Sequence, residues 1–165
     1  MLPLAEREIR RSFVNCSKGE AERVNLPADL AGLPWADLDF LGWRDPGAPQ
    51  LAYLVAERGG QLTGVTLRAP AAGARSFTSR SMCSLCLTVR TARGVALMTA
   101  RRTGAAGRQG NSVGQYLCID LACSLHVRGR KDSAVGPELD ETLSRDGKIA
   151  RMMANLDAFL EKVLA

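Results

Sequence analysis

Two short cysteine pairs constrain this chain more than any other feature. Cys83-Ser84-Leu85-Cys86 is a C-x2-C pair and Cys118-Ile119-Asp120-Leu121-Ala122-Cys123 a C-x4-C pair, with thirty-one residues between them. Four thiols grouped in this way point to a metal site before they point to disulfides. Zinc takes four thiolates in a tetrahedron with Zn–S at about 2.3 Å. A tight turn at 83–86 can aim two sulfurs inward. A loop feeding a helix can supply the other two, Cys118 at its entrance and Cys123 just inside. Knuckle, hairpin and helix, in that order, is the layout of a treble-clef zinc finger. The reading is one structural Zn2+ on Cys83, Cys86, Cys118 and Cys123, because four-thiolate coordination leaves no open position for chemistry. The lone histidine, His126, lies one turn after Cys123 and is an alternative fourth ligand.

The remaining residues assemble no catalytic site. A thioredoxin-like pair needs a C-x2-C before a helix in a βαβ unit, and no such unit is legible. A zinc deaminase needs a glutamate beside a ligand, but His126 is followed by Val127 and Arg128. Cys16, the fifth cysteine, has no histidine near it in sequence and reads as a small packed residue. There is no P-loop and no dinucleotide fingerprint. The chain is therefore expected to be a non-enzyme with no small-molecule substrate.

At 165 residues, 46% apolar and 24% charged, the chain is expected to be one domain: N-terminal helices and a β-hairpin over 1–80, a zinc-finger core over 81–131 and a C-terminal helix over 132–165. No apolar run approaches the ~20 residues of a membrane helix. The first eleven residues lack the apolar stretch of a signal peptide, so the expectation is cytoplasmic, without a membrane partner. The net charge of +5 is unevenly placed. Residues 75–131 hold ten Lys or Arg against one acid, Asp120, and carry +9, while the remainder carries −4. Charge clustered in this way calls for an anionic partner.

The predicted class is α+β: a small antiparallel sheet with the four-cysteine finger and a long C-terminal helix. Residues 4–14 read as a short helix with Pro3 at the tolerated first position. Ser17 and Glu20 form a capping box that starts a second helix, which should end by Asn25 because Pro27 follows. The proline-broken stretch 27–50 reads as irregular, anchored by Trp35, Phe40, Leu41 and Trp43. Residues 51–56 and 61–67 form a hairpin turning at Arg58-Gly59-Gly60. A loop is expected over 70–73, and a second hairpin pairs 87–91 with 95–100 through Arg93-Gly94. Residues 104–114 read as a mobile loop and 119–127 as a short helix. Ile149, Met152, Met153, Leu156, Phe159, Leu160 and Val163 recur at helical spacing, which predicts a core-packing stripe.

Cys83-x2-Cys86, the glycine-rich Arg108-Gln109-Gly110-Asn111-Ser112-Val113-Gly114 and Tyr116-Leu117-Cys118-Ile119-Asp120 before Cys123-Ser124-Leu125 resemble the zinc domain of the elongation factor G-binding proteins, the FusB-type fusidic acid resistance family. The resemblance is strongest over 80–130. It implies the four cysteines as zinc ligands and a role in binding elongation factor G and promoting its release from the ribosome. It also implies a contact surface before Cys118, for which Arg101, Arg102, Arg108, Gln109, Asn111, Ser112 and Tyr116 are the candidates. Ribosomal RNA nearby would suit the basic charge. The resistance proteins carry an N-terminal helical bundle, and the residues before the finger here are expected to be too few to form one. The competing reading is a basic zinc-finger RNA- or DNA-binding protein. Single-strand binders use aromatic platforms, and Tyr116 is the only aromatic between Cys83 and Lys131.

Overall fold

The computed structural model describes residues 1–70, 81–90, 94–131 and 142–165. In chain order the elements are α1 (Glu6–Ser12), α2 (Lys18–Glu22), a 3-10 turn (Trp35–Asp37), β1 (Phe40–Arg44), β2 (Leu51–Arg58), β3 (Gln61–Arg68), β4 (Ser81–Met82), β5 (Val89–Arg90), β6 (Val95–Arg101), α3 (Gly104–Arg108), β7 (Ser112–Cys118), α4 (Cys123–Val127) and α5 (Arg145–Leu164). Among the described residues, β1-β2-β3-β6-β7 form one antiparallel sheet in that spatial order, and β4-β5 a separate small ribbon. This is the α+β arrangement the sequence predicts, with its antiparallel sheet, cysteine cluster and long C-terminal helix.

The sheet is covered on both faces. Met152, Leu156, Phe159, Leu160 and Val163 of α5 share one buried cluster with Leu54, Leu67, Met98 and Leu117. A second cluster holds Ile9, Leu41, Trp43, Tyr53 and Val55. Alternate residues of β2 therefore enter different clusters, and residues 52–56 are all buried. A strand buried on both sides reads as a continuous apolar run, which is how it stands in the sequence. Each α5 core side chain contributes about 2 kcal/mol through burial. The β2–β3 turn is the two-residue link Gly59-Gly60, both at positive φ (54° and 80°), where glycine carries no Cβ penalty.

Ser17 accepts from the Glu20 amide at 3.2 Å while Glu20 accepts from the Ser17 amide at 2.8 Å, so the capping box forms and α2 ends at Glu22. The first helix is shorter than expected. The chain leaves it at Phe13, which makes a parallel bridge to Gly64 of β3. The stretch read as irregular contains β1, paired along its length with β2, and its four anchors are buried.

The second hairpin is paired differently from the expectation. β5 pairs with β4, while β6 pairs with β3 and β7. The knuckle causes this: the Cys83 amide donates to the Thr88 carbonyl and the Leu87 amide to the Cys83 carbonyl, with Leu87 at φ 56°. Residues 81–90 thus close on themselves before reaching β6. Thr91 and Arg93 lie outside the described residues, as does the expected 70–73 loop beyond Pro70.

Residues 104–114 are not a loop throughout. They hold α3 and the start of β7, tied down by Thr103, whose amide donates to the Val163 carbonyl and whose hydroxyl donates to that of Leu164. The helix expected over 119–127 is confined to Cys123–Val127, because Leu121 sits at φ 52° and ends any helix before it.

Candidate metal centre

Cys83 and Cys86 lie in the knuckle between β4 and β5; Cys118 closes β7 and Cys123 opens α4. All four are buried and none is in a disulfide. Their Sγ atoms lie within 4.8 Å of one another, with Cys83–Cys123 at 3.7 Å and Cys86–Cys118 at 3.6 Å. A zinc tetrathiolate with bonds of about 2.3 Å has a tetrahedron edge of about 3.8 Å, whereas a disulfide would need about 2.05 Å. The spacing is that of sulfurs arranged around an ion.

Protonation agrees with this. Hydrogen bonds from Cys118 and Cys123 hold Cys83 and Cys86 below the ordinary thiol range. Hydrogen bonds to Cys118 and the other two, then burial, push Cys123 well above it. Four sulfurs this close cannot all ionise unaided, and a dication supplies the missing charge. One structural zinc fits the set, and four thiolates fill its tetrahedron and leave no open position for an exchangeable water.

The centre is tied to its surroundings on two sides. The Ser84 amide donates to the Tyr116 carbonyl at 2.8 Å, fastening the knuckle to β7. Asn155 of α5 donates to the Leu85 carbonyl at 2.9 Å, fastening it to the core helix.

A polar ring missed by the sequence reading lies beside the thiols, its Asp120 and His126 reaching within 4.8 Å of the Cys118 sulfur. Buried Arg90 contacts His126 (Nη2 to Nε2, 2.7 Å) and Asp120 (3.4 Å), and Lys131 closes on Asp120 at 2.9 Å. Burial alone would raise the Asp120 carboxyl, but its bonds to His126 and Lys131 hold it well below the carboxylate range. His126 has a nitrogen within 4.8 Å of the Cys118 sulfur. Both ring nitrogens are nevertheless engaged, Nε2 by Arg90 and Asp120 and Nδ1 by the Lys131 carbonyl at 3.1 Å. His126 therefore belongs to this ring, and the four thiols complete the donor set without it. The ring places positive charge beside a centre that would carry −2. Its signals were an arginine after the first pair, an aspartate inside the second and the lone histidine one turn later.

Cys16 stands apart. It is half-buried, and burial followed by the Glu20 charge pushes its thiol up, the opposite of an activated nucleophile.

The candidate contact residues divide. Arg101, Arg102, Arg108, Gln109, Asn111 and Ser112 gather at the β6–α3–β7 connection, where Arg101 and Ser112 are register partners and the Arg102 amide donates to the Asn111 carbonyl. The hairpin end at Val95 and Cys118 lies six residues away, about 20 Å. Tyr116, 42% exposed and paired with Leu97, is the member near the knuckle. The +9 stretch is also less bare than its count. Of its described bases, Arg90 and Lys131 pair with Asp120, Arg128 with Asp39 and Arg130 with Asp37. Arg101, Arg102 and Arg108 have no ion pair among the described residues.

No helix among the described residues is long and apolar enough to cross a membrane. Neither a curated protein nor a solved structure matched the chain. The family described as FBP C-terminal treble-clef zinc-finger matches residues 8–163, and with the four thiols at tetrahedral spacing the chain belongs to that family.

Proposed function

We propose that this protein is a zinc-stabilised binding module, not an enzyme, whose partner is translation elongation factor G, and that binding promotes release of the factor from the ribosome. The observation that carries the reading is the family match over 8–163, nearly the whole chain. The zinc ligands in this proposal are Cys83, Cys86, Cys118 and Cys123. The contact face is the β6–α3–β7 connection with Arg101, Arg102, Arg108, Gln109, Asn111 and Ser112, extended along β7 to Tyr116. Unpaired arginines on an exposed edge suit an acidic protein surface and tolerate adjacent ribosomal RNA.

Calorimetry of the zinc-loaded chain against elongation factor G at two salt concentrations, with a generic RNA titrated in parallel, tests the proposal. One-to-one binding that survives moderate salt supports it. RNA binding that collapses with salt, without factor binding, moves the function to nucleic acid.

A further inference from the structure

On the side of the sheet away from α5, a cleft of about 460 Å³ opens between the α2 region and the edge of β3, β6 and β7. Its size falls within the range of small-molecule sites. Arg23, Arg68 and Arg101 line it from three separate parts of the chain. All three are exposed, and their guanidinium groups have no hydrogen bond or ion pair among the described residues, as is also true of Arg102 and Arg108 outside the cleft. Two acids also line the cleft. Asp45 is committed to Asn25, Tyr53 and the Gly47 and Ala48 amides. Glu20, although it feels Arg101 and Arg23, bonds Ser17. Three guanidinium groups against two carboxylates leave the cleft one positive charge in excess, and Glu20 offsets part of the field of Arg23 and Arg101. Val24, Leu51 and Tyr53 give the same cleft an apolar wall.

We propose that this cleft binds a small phosphorylated organic molecule, its phosphates held by Arg23, Arg68 and Arg101 and its body resting against Leu51 and Tyr53. Three cationic forks need more acceptor oxygens than one carboxylate offers, and guanidinium geometry matches phosphate. The apolar wall has no use for a bare inorganic ion. This site is distinct from the zinc centre and needs no protein partner.

Calorimetry of the zinc-loaded full chain with ADP and with pyrophosphate, without elongation factor G, is the test. The expected result is one ADP per chain, bound more tightly than pyrophosphate. The R23A/R68A variant should weaken it by about tenfold or more. R7A/R11A removes the same charge from exposed positions of α1 outside the cleft and should change affinity by no more than about twofold. Unchanged zinc content and melting midpoint keep the comparison interpretable. No ADP binding, pyrophosphate binding as tight as ADP, or an equal loss in R7A/R11A overturns the proposal.

Discussion

The side chain of Asn15 donates to the backbone carbonyl of Arg101, 86 positions along the chain, at 3.0 Å. It also accepts from the Thr66 amide at 2.8 Å and donates to the Thr66 carbonyl at 3.0 Å. Strands β3 and β6 pair directly at only two positions, Leu67↔Ala100 and Arg68↔Thr99. Just beyond them, Asn15 stands in for a missing peptide and joins the N-terminal half of the sheet to the metal-bearing half. Replacing it by alanine leaves buried backbone groups without partners, at about 2–4 kcal/mol. The N15A variant should therefore melt roughly 5–12 °C lower. A melting curve that does not move would show that the two halves hold together without this residue.

Metal removal should have a larger effect. Structural zinc contributes on the order of 10 kcal/mol in isolated fingers, as much as the whole stability of a typical domain. Because Ser84 and Asn155 fasten the knuckle to β7 and α5, its loss should propagate into the core. The purified chain should carry one zinc; C118S should lose it and lose secondary structure, while C16S should keep both. Metal analysis with circular dichroism reads this. Full zinc content in C118S would end the four-thiolate assignment.

The metal set was legible because spacing alone constrains it: Cys83, Cys86, Cys118 and Cys123 are close in pairs, and α5 announces itself through its apolar period. The strand pairing was not. The 87–91 segment has the composition to pair with 95–100, but the knuckle reverses the chain first, and this depends on a left-handed Leu87 that composition does not reveal. The loop over 104–114 was misread because its order comes from Thr103 bonding to the end of α5, a contact between distant parts of the chain. The bridge made by Asn15 is likewise a contact between segments 51 and 86 positions apart, which no local pattern encodes.

Asp45 gives the stability a pH dependence. Burial would raise its carboxyl, but Asn25, the Tyr53 hydroxyl at 2.9 Å and the Gly47 and Ala48 amides outweigh that and hold it below the usual aspartate value. A carboxyl with a lowered folded pKa stabilises above its unfolded value, about 3.9, and the contribution fades as pH falls through the lower folded one. D45N should be less stable than wild type by a constant margin between about pH 5 and 8, and that margin should shrink only below about pH 4. Urea midpoints of the two proteins across this range provide the check. A margin that fell steadily from neutral pH would place the sensitive group elsewhere.

The β6–α3–β7 connection can be altered in two ways that separate shape from charge. Gly107 packs so closely that a Cβ would lie 1.7 Å from the Arg102 carbonyl oxygen. G107A must therefore shift backbone, at about 1–3 kcal/mol, and should distort the contact face while zinc stays bound. Replacing Arg101, Arg102 and Arg108 by alanine removes charges with no ion pair among the described residues, so the fold and metal content should survive. Affinity for elongation factor G should fall by about tenfold, near 1.4 kcal/mol, with most of the change in association rate and salt dependence. If G107A weakens binding and the triple variant does not, the face recognises by shape. If both bind as wild type at every salt concentration, the contact lies on another surface, and Tyr116 beside the knuckle becomes the next position to change.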